Sequence, residues 1–263
     1  MKLLFVGDVI GKPGRRALQN LLPRLVDHHR IDYVVVNVEN SAGGFGVTPD
    51  VLAEIADLPI DCYTSGNHIW DKKEGVEMMS REKRLLRPAN YPDGNPGHGV
   101  YIGETAGGIK VATINLEGRV YMSNLDSPFL VADRLLQQLD PRIKVIFVDF
   151  HAEVTSEKQA LAFYLDGRVS AVIGTHTHVP TADERILPNG TALQTDAGMT
   201  GPYESVIGMR FDKVLKRFLL QTHASFEVAK RDVRLAGAVV DIDEETGKAR
   251  GIERLLVPDT QQG

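Results

Sequence analysis

The sequence predicts an α/β fold built largely on parallel strands. Short β-branched or apolar runs recur with room for a helix between them, amphipathic stretches with helix-start signals fill several of those intervals, and the C-terminal part turns strand-rich.

In chain order, Leu3 to Val6 reads as a buried first strand, because Gly7-Asp8 stops the apolar run too soon for a signal-peptide core or a membrane span. A helix ending at His28-His29 follows, with both imidazoles expected at the surface near the negative end of its dipole. Tyr33 to Val38 and Cys62 to Thr64 are the next strands, separated by a helix starting at Thr48-Pro49, a cap residue followed by proline at the first helical position. Val111 to Ile114, Ile143 to Val148 and Val169 to Ile173 continue the series. Ser127-Pro128 opens a helix before the second of these, and Ser156-Glu157-Lys158-Gln159 offers a capping box before Ala160 to Leu165. Thr191 to Thr195, Arg234 to Asp243 and Gly251 to Val257 are strands, expected to form a second sheet packed on the first, with Thr246-Gly247 as the hairpin turn between the last two. Pro258 to Gly263 are expected to fray.

At 263 residues, with 43% apolar and 25% charged side chains, the chain is expected to form one domain, residues 1–263, with a sizeable core rather than a disordered or fibrous structure. The net charge of -5 gives no global basic field for nonspecific nucleic-acid binding. Cys62, the only cysteine, excludes an internal disulfide and a cysteine-clustered zinc site, and fits a reducing cytoplasm; it reads as a small buried hydrophobe. No segment suggests a membrane partner.

Nearly every strong strand candidate is followed by a potential metal ligand: Asp8, Glu39-Asn40, Asn67-His68, His151 and His176-Thr177-His178. In open α/β sheets the carboxyl ends of strands form the binding crevice, so residues far apart in sequence converge at one edge. Carboxylates, amide oxygens and imidazoles form a mixed oxygen and nitrogen donor set, suited to manganese, iron, zinc or nickel rather than calcium. Two metals need a bridge, and Glu39 can offer one carboxylate oxygen to each ion. A water between the ions would lose a proton easily, and the hydroxide can attack phosphorus with no protein nucleophile. For the His176-x-His178 pair, alternating strand-end geometry would aim both rings at neighbouring ions.

The motifs Gly7-Asp8-Val9-Ile10-Gly11, Asn37-Val38-Glu39-Asn40-Ser41-Ala42-Gly43-Gly44, Ser65-Gly66-Asn67-His68-Ile69-Trp70-Asp71, His151-Ala152-Glu153 and Gly174-Thr175-His176-Thr177-His178-Val179-Pro180 occur in the order that characterises calcineurin-like metallophosphoesterases. Together with Asp196-Ala197-Gly198-Met199-Thr200-Gly201-Pro202, they most closely resemble the bacterial YmdB-like phosphodiesterases within that superfamily. The resemblance implies a four-layer α/β/β/α sandwich with two packed mixed sheets and a pair of divalent or mixed-valence ions, iron or manganese foremost, with zinc also compatible. It implies Asp8, Glu39, Asn40 and His178 around one ion and Glu39, Asn67, His151 and His176 around the other, leaving His68 free to protonate the leaving oxygen, which an unligated histidine can do near neutrality. Ile10 stands where the wider superfamily has the histidine of an Asp-x-His motif, and the resemblance to the narrower branch gives the missing position to Asn40.

Alone, Asp8 could cap the next helix and Asn67 could occupy a turn; His68 could serve only as a hydrogen-bonding neighbour, positioned by Asp71 or Trp70. Gly43-Gly44-Phe45-Gly46 reads as a flexible turn that could approach a phosphate, and Trp70 as a core residue rather than a base-stacking one. Gly11-Lys12 is no nucleotide-binding loop, since Gly7 is one residue too close and Pro13 replaces the needed Ser or Thr. His98 and His223 lack a motif. The expected function is hydrolysis of a small phosphodiester, with 2',3'-cyclic nucleotides suggested by the resemblance. An RNA-related substrate, a phosphomonoester, a homo-oligomer and a regulatory binding protein retaining the metal site all remain compatible with the sequence.

Overall fold

A computed structural model of the chain describes residues 1–222 and 225–260, and its two six-stranded sheets lie face to face. The first half of the first sheet is a parallel run: β1 (Lys2–Val6) leads into α1 (Gly11–His29), which returns to β2 (Tyr33–Asn37), and α2 (Pro49–Ala53) precedes β3 (Cys62–Thr64). A one-turn 3-10 helix, Asn67–Trp70, and α3 (Lys73–Met79) carry the chain to the second sheet. There β4 (Val100–Glu104) lies antiparallel to β5 (Lys110–Glu117). The strand β5 then runs parallel to β6 (Val145–His151), reached through α4 (Pro128–Gln138). The helix α5 (Thr155–Tyr164) leads to β7 (Ala171–Thr175), parallel to β6. The edge is made by β8 (Arg185–Ile186) and β9 (Ala192–Gln194). The chain then returns to the first sheet through β10 (Gly201–Pro202), α6 (Phe211–Leu220), β11 (Val233–Ile242) and β12 (Ala249–Pro258).

The division between sheets differs from the expectation. The C-terminal strands do not build a second sheet; β11 pairs antiparallel with β1, and the second sheet is made from residues 100–194. Alternation along a strand reports which faces are buried but carries no information on which strand lies alongside, so the local pattern of Arg234 to Asp243 could not reveal its partner.

Period-2 alternation sorts the strand residues into layers. On β1, Leu4 and Val6 face α1, whose Leu18, Leu22 and Leu25 complete one apolar core; Leu3 and Phe5 face the other sheet, where Phe147 of β6 packs 5.0 Å from Phe5, centroid to centroid. A third core joins Ile146 and Val148 of β6 to Val131 of α4 and Leu161 of α5. Three cores between four layers give α/β/β/α, as the sequence resemblance implied. Each fully buried Leu, Val or Phe contributes about 1.5–3 kcal/mol relative to exposure, so the interior is dry and rigid beneath the strand ends.

Helix starts divide into those the sequence located and one it did not. The Thr48 hydroxyl accepts from the Val51 amide, and Pro49 and Pro128 open their helices. The Ser156 box does not form: α5 begins at Thr155 after Val154, so Ser156 is already within the first turn and cannot cap it. Glu157 instead accepts from the amides of Arg119 and Val120. The end of the chain is also better held than expected, because Pro258 belongs to β12, the Asp259 amide donates to Val233, and the Asn20 side chain donates to the Asp259 carboxylate. Residues 261–263, and the His223 considered above, lie outside the described residues. Asp243 and Gly247 close the expected hairpin, with Gly247 at φ 75°.

Candidate metal centre

The carboxyl ends of β1, β2 and β3 meet those of β6 and β7 at one rim, and the ligand candidates gather there. The Asp8, Glu39 and His178 ligand atoms lie within 4.8 Å of one another, as do those of Glu39, His151 and His176. Glu39 belongs to both groups. Its Oε1 is 3.1 Å from His151 Nε2, and its Oε2 accepts from the His68 amide at 3.0 Å. Asn67 Oδ1 is 3.0 Å from His151 Nε2, on the side of the second group. Asp8 caps nothing: α1 starts after Ile10 with no side-chain cap.

The surrounding chain fixes which ring nitrogen each histidine presents. Thr175 Oγ1 donates to Asp149 Oδ1 at 2.7 Å, so its remaining capacity is to accept from His151 Nδ1–H at 2.9 Å. That leaves His151 Nε2 as the nitrogen facing the cluster. His178 donates from Nδ1 to the Ile207 carbonyl at 2.9 Å, which likewise leaves Nε2 toward Asn40. His176 reverses the pattern, with Nδ1 3.0 Å from His151 Nε2 and Nε2 3.2 Å from the Glu153 carboxylate. A carboxylate behind a histidine in this way fixes the ring and raises its basicity as a ligand.

His176 and His178 do not reach the rim by strand alternation. The strand β7 ends at Thr175, and both histidines have left-handed backbones, φ 98° and 65°. Such conformations cost on the order of 1–3 kcal/mol each and persist only when neighbours hold them. Asp196 does so: its Oδ2 accepts from the Thr177 amide and hydroxyl and, in the interior, from Lys158 Nζ at 2.6 Å. One glycine is equally determined. A Cβ on Gly66 would lie 2.2 Å from Nε2 and Cδ2 of His151, so only glycine lets β3 end against that ring.

The electrostatics fit a pair of cations. Burial raises the Asp8 carboxyl well above its usual range, with the charges of Glu39, Asp196 and Asp149 adding to this and His151 opposing it. Burial works the same way on Glu39, but His151 and His68 outweigh it and hold the carboxylate ionised, while Glu39 in turn raises His151 against its own burial. Burial, together with neighbouring His151, pushes His176 down to about 3, and burial also lowers His178; both are neutral, the form that ligates. Asp8 Oδ1 and Asn40 Oδ1 are buried without hydrogen-bond partners. A buried unsatisfied oxygen costs about 1–3 kcal/mol, and a cation removes that cost. The Asn40 amide directs its nitrogen at Glu39 and His178; turning it by 180° presents Oδ1 instead.

His68 stands beside the cluster, outside both ligand groups, with Nδ1 2.7 Å from Asp71 Oδ2 and its side chain 29% exposed. Trp70 packs against the first core and the Tyr91 ring, in keeping with a core role. Asp149 and the Lys158–Asp196 pair support the site in ways the sequence motifs do not show. Asp149, pushed by burial to about 6 despite three hydrogen bonds and His151, accepts from Asn37, Thr64 and Thr175 and so ties the two sheets together under the site. A charged residue ending an apolar strand run was its only sequence signal. Lys158 and Asp196, 38 residues apart, left none as a pair.

Residues 4–255 match the family of YmdB-like proteins. The chain belongs to that family. It is 47% identical over 260 residues to the 2',3'-cyclic-nucleotide 2'-phosphodiesterase of Bacillus subtilis (strain 168), covering 98% of each chain. Among solved structures it is similar to a hypothetical protein from Thermus thermophilus, with TM-score 0.93 and 41% identity over 98% of this chain and 100% of that one. It is also similar to a novel phosphatase of Mycoplasma pneumoniae, with TM-score 0.91 and 35% identity over 99% and 95% of the two chains. The YmdB-like match and these relatives agree with the calcineurin-like α/β fold and with divalent metal ions as its cofactors.

Proposed function

We propose that this YmdB-like chain is a dinuclear metal-dependent phosphodiesterase acting on 2',3'-cyclic nucleotides or related small diesters. The observation that carries the reading is the pair of candidate ligand groups sharing Glu39, with His68 beside them and in neither group. Asp8, Glu39, Asn40 and His178 would hold one ion, and Glu39, Asn67, His151 and His176 the other. The oxygen and nitrogen donors favour iron or manganese, with zinc compatible. What a bound metal pair supplies is activation of water and neutralisation of phosphate oxygens.

The protein's own side chains do the rest. Glu39 stays ionised at the centre, and neutral His176 and His178 hold lone pairs ready without competing protons. The Asp71 carboxylate accepts from His68 Nδ1–H, so in the cationic ring the second proton sits on Nε2, and that is the proton delivered to the leaving ribose oxygen. That oxygen would otherwise depart as an alkoxide, and its protonation completes hydrolysis of the P–O bond.

A cavity of about 610 Å³ beside the ligand groups suits a small-molecule partner. Among the described residues, no helix is long and apolar enough to cross a membrane. The single buried Cys62, its thiol pushed up by burial, supports placement in a reducing cytoplasm. The class of ester is tested by offering the metal-loaded enzyme a cyclic diester, a linear diester and a phosphomonoester. Preferential turnover of the cyclic diester is expected; exclusive monoester turnover contradicts the reading.

A further inference from the structure

The metal ligands form only one end of a larger cavity of about 610 Å³. This is within the range of about 300–1,000 Å³ typical of small-ligand sites and more than a phosphate group needs. From His176 and His178 the cavity continues past Phe45 of the glycine loop to Arg217 and Phe218 of α6 and to Phe226. Its lining is apolar there, and its side chains are incompletely covered: Phe226 is 38% exposed and Phe218 69%.

The aromatic geometry says how a planar ligand would be held. The Phe45 and Phe226 rings are 6.4 Å apart at 47° to each other. A base sandwiched between two rings needs them parallel and two stacking distances apart, so these rings are one wall and not two jaws. Phe45 also packs edge-on against the His68 ring, centroids 5.0 Å apart, which connects the wall to the proton donor. The Arg217 guanidinium lies 5.2 Å from the Phe226 centroid and makes no ion pair among the described residues. Its charge is therefore free for a phosphate, and its plane is available for stacking.

We propose that Phe45, Phe226 and Arg217 form a one-sided stacking wall for the nucleobase of the substrate. This rests on the phosphodiesterase reading above and narrows it to diesters that carry a nucleoside. Three features converge on it. The wall is continuous with the metal ligands, so a group stacked there belongs to the same molecule as the phosphate. Its apolar surface and positive charge match a base attached to an anion. Its rings and guanidinium offer π faces and donors but no paired donor and acceptor set for reading a base edge, so purines and pyrimidines are both accepted, purines somewhat better through their larger stacking surface.

The test is a specificity ratio. The metal-loaded enzyme is assayed on 2',3'-cyclic AMP and on the base-free 2',3'-cyclic phosphate of methyl riboside, and adenosine binding is followed separately by NMR line broadening. Wild type should favour the nucleotide in kcat/KM by about tenfold or more. Phe226→Ala and Arg217→Gln should each reduce that ratio by about fivefold or more and weaken adenosine broadening; Phe226→Tyr should restore most of both. Arg217 is exposed, so its variant tests the wall even if the phenylalanine variant folds poorly. A wild-type ratio near one, or variants that lower both substrates equally, overturns the proposal. Adenosine broadening that depends on Phe226, without hydrolysis of either diester, keeps the wall and rejects the phosphodiesterase; absence of both rejects the two together.

Discussion

Asp8, Glu39 and His151 are fully buried on the ends of paired strands, whereas the Phe45–Phe226 wall across the same cavity rests on a glycine loop and on chain beyond α6. The first region is over-determined: each histidine has a hydrogen-bonding neighbour behind it, Gly66 leaves no room for a methyl group, and Lys158 and Asp196 hold the left-handed turn of His176 to His178. The second has few polar anchors, and much of its surface is open to solvent. The difference teaches that the reaction centre is set by close packing and hydrogen bonds, while the Phe226 and Arg217 end of the proposed wall can change with less effect on it than Phe45, which packs on His68.

Substitutions can break or sharpen that contrast. Gly66→Ala should have the largest effect, because its Cβ would displace the His151 ring from 2.2 Å; activity should fall to background and bound metal should drop, measured by turnover and metal analysis on folded protein. His68→Ala should lower kcat by about 10²–10⁴-fold while metal content is kept, and unchanged activity toward a diester with a poor leaving group would remove His68 from the proton-transfer role. Glu153→Gln should weaken metal affinity by about 10–100-fold, seen in a metal titration, because the side chain behind His176 Nε2 loses its charge. Leu219→Ser should do least: Leu219 is 71% exposed on α6 and does not line the cavity, so thermal unfolding should shift stability by no more than about 0.5 kcal/mol and kcat/KM should hold.

The same contrast explains what could be read from the sequence. Asp8, Glu39, Asn67, His151, His176 and His178 were legible because each follows or ends a strand whose apolar run is local, and because their order resembles a known family. The structure brings them to one rim, but His176 and His178 after β7 arrive through left-handed turns, which residue spacing does not encode. The pairing of β11 with β1, separated by most of the chain, was hidden for the reason that cross-strand partners always are: either face of an alternating strand satisfies the pattern. Asp149, Lys158 and Asp196 gain their roles only from contacts across the folded interior. The helix α6 went unread although Phe211, Val214, Leu215, Phe218 and Leu219 recur at helical spacing, because it carries no ligand motif, and with it went the wall that Arg217 and Phe218 help to build.

The most direct measurement of the central claim, that Glu39 joins two ligand groups into one metal-dependent catalytic centre, is hydrolysis of 2',3'-cyclic AMP by metal-stripped protein before and after addition of manganese or anaerobic ferrous iron, with Glu39→Gln beside it. Restoration of turnover in wild type and not in Glu39→Gln is the predicted result. Full turnover by the stripped enzyme, or equal restoration in Glu39→Gln, would contradict it.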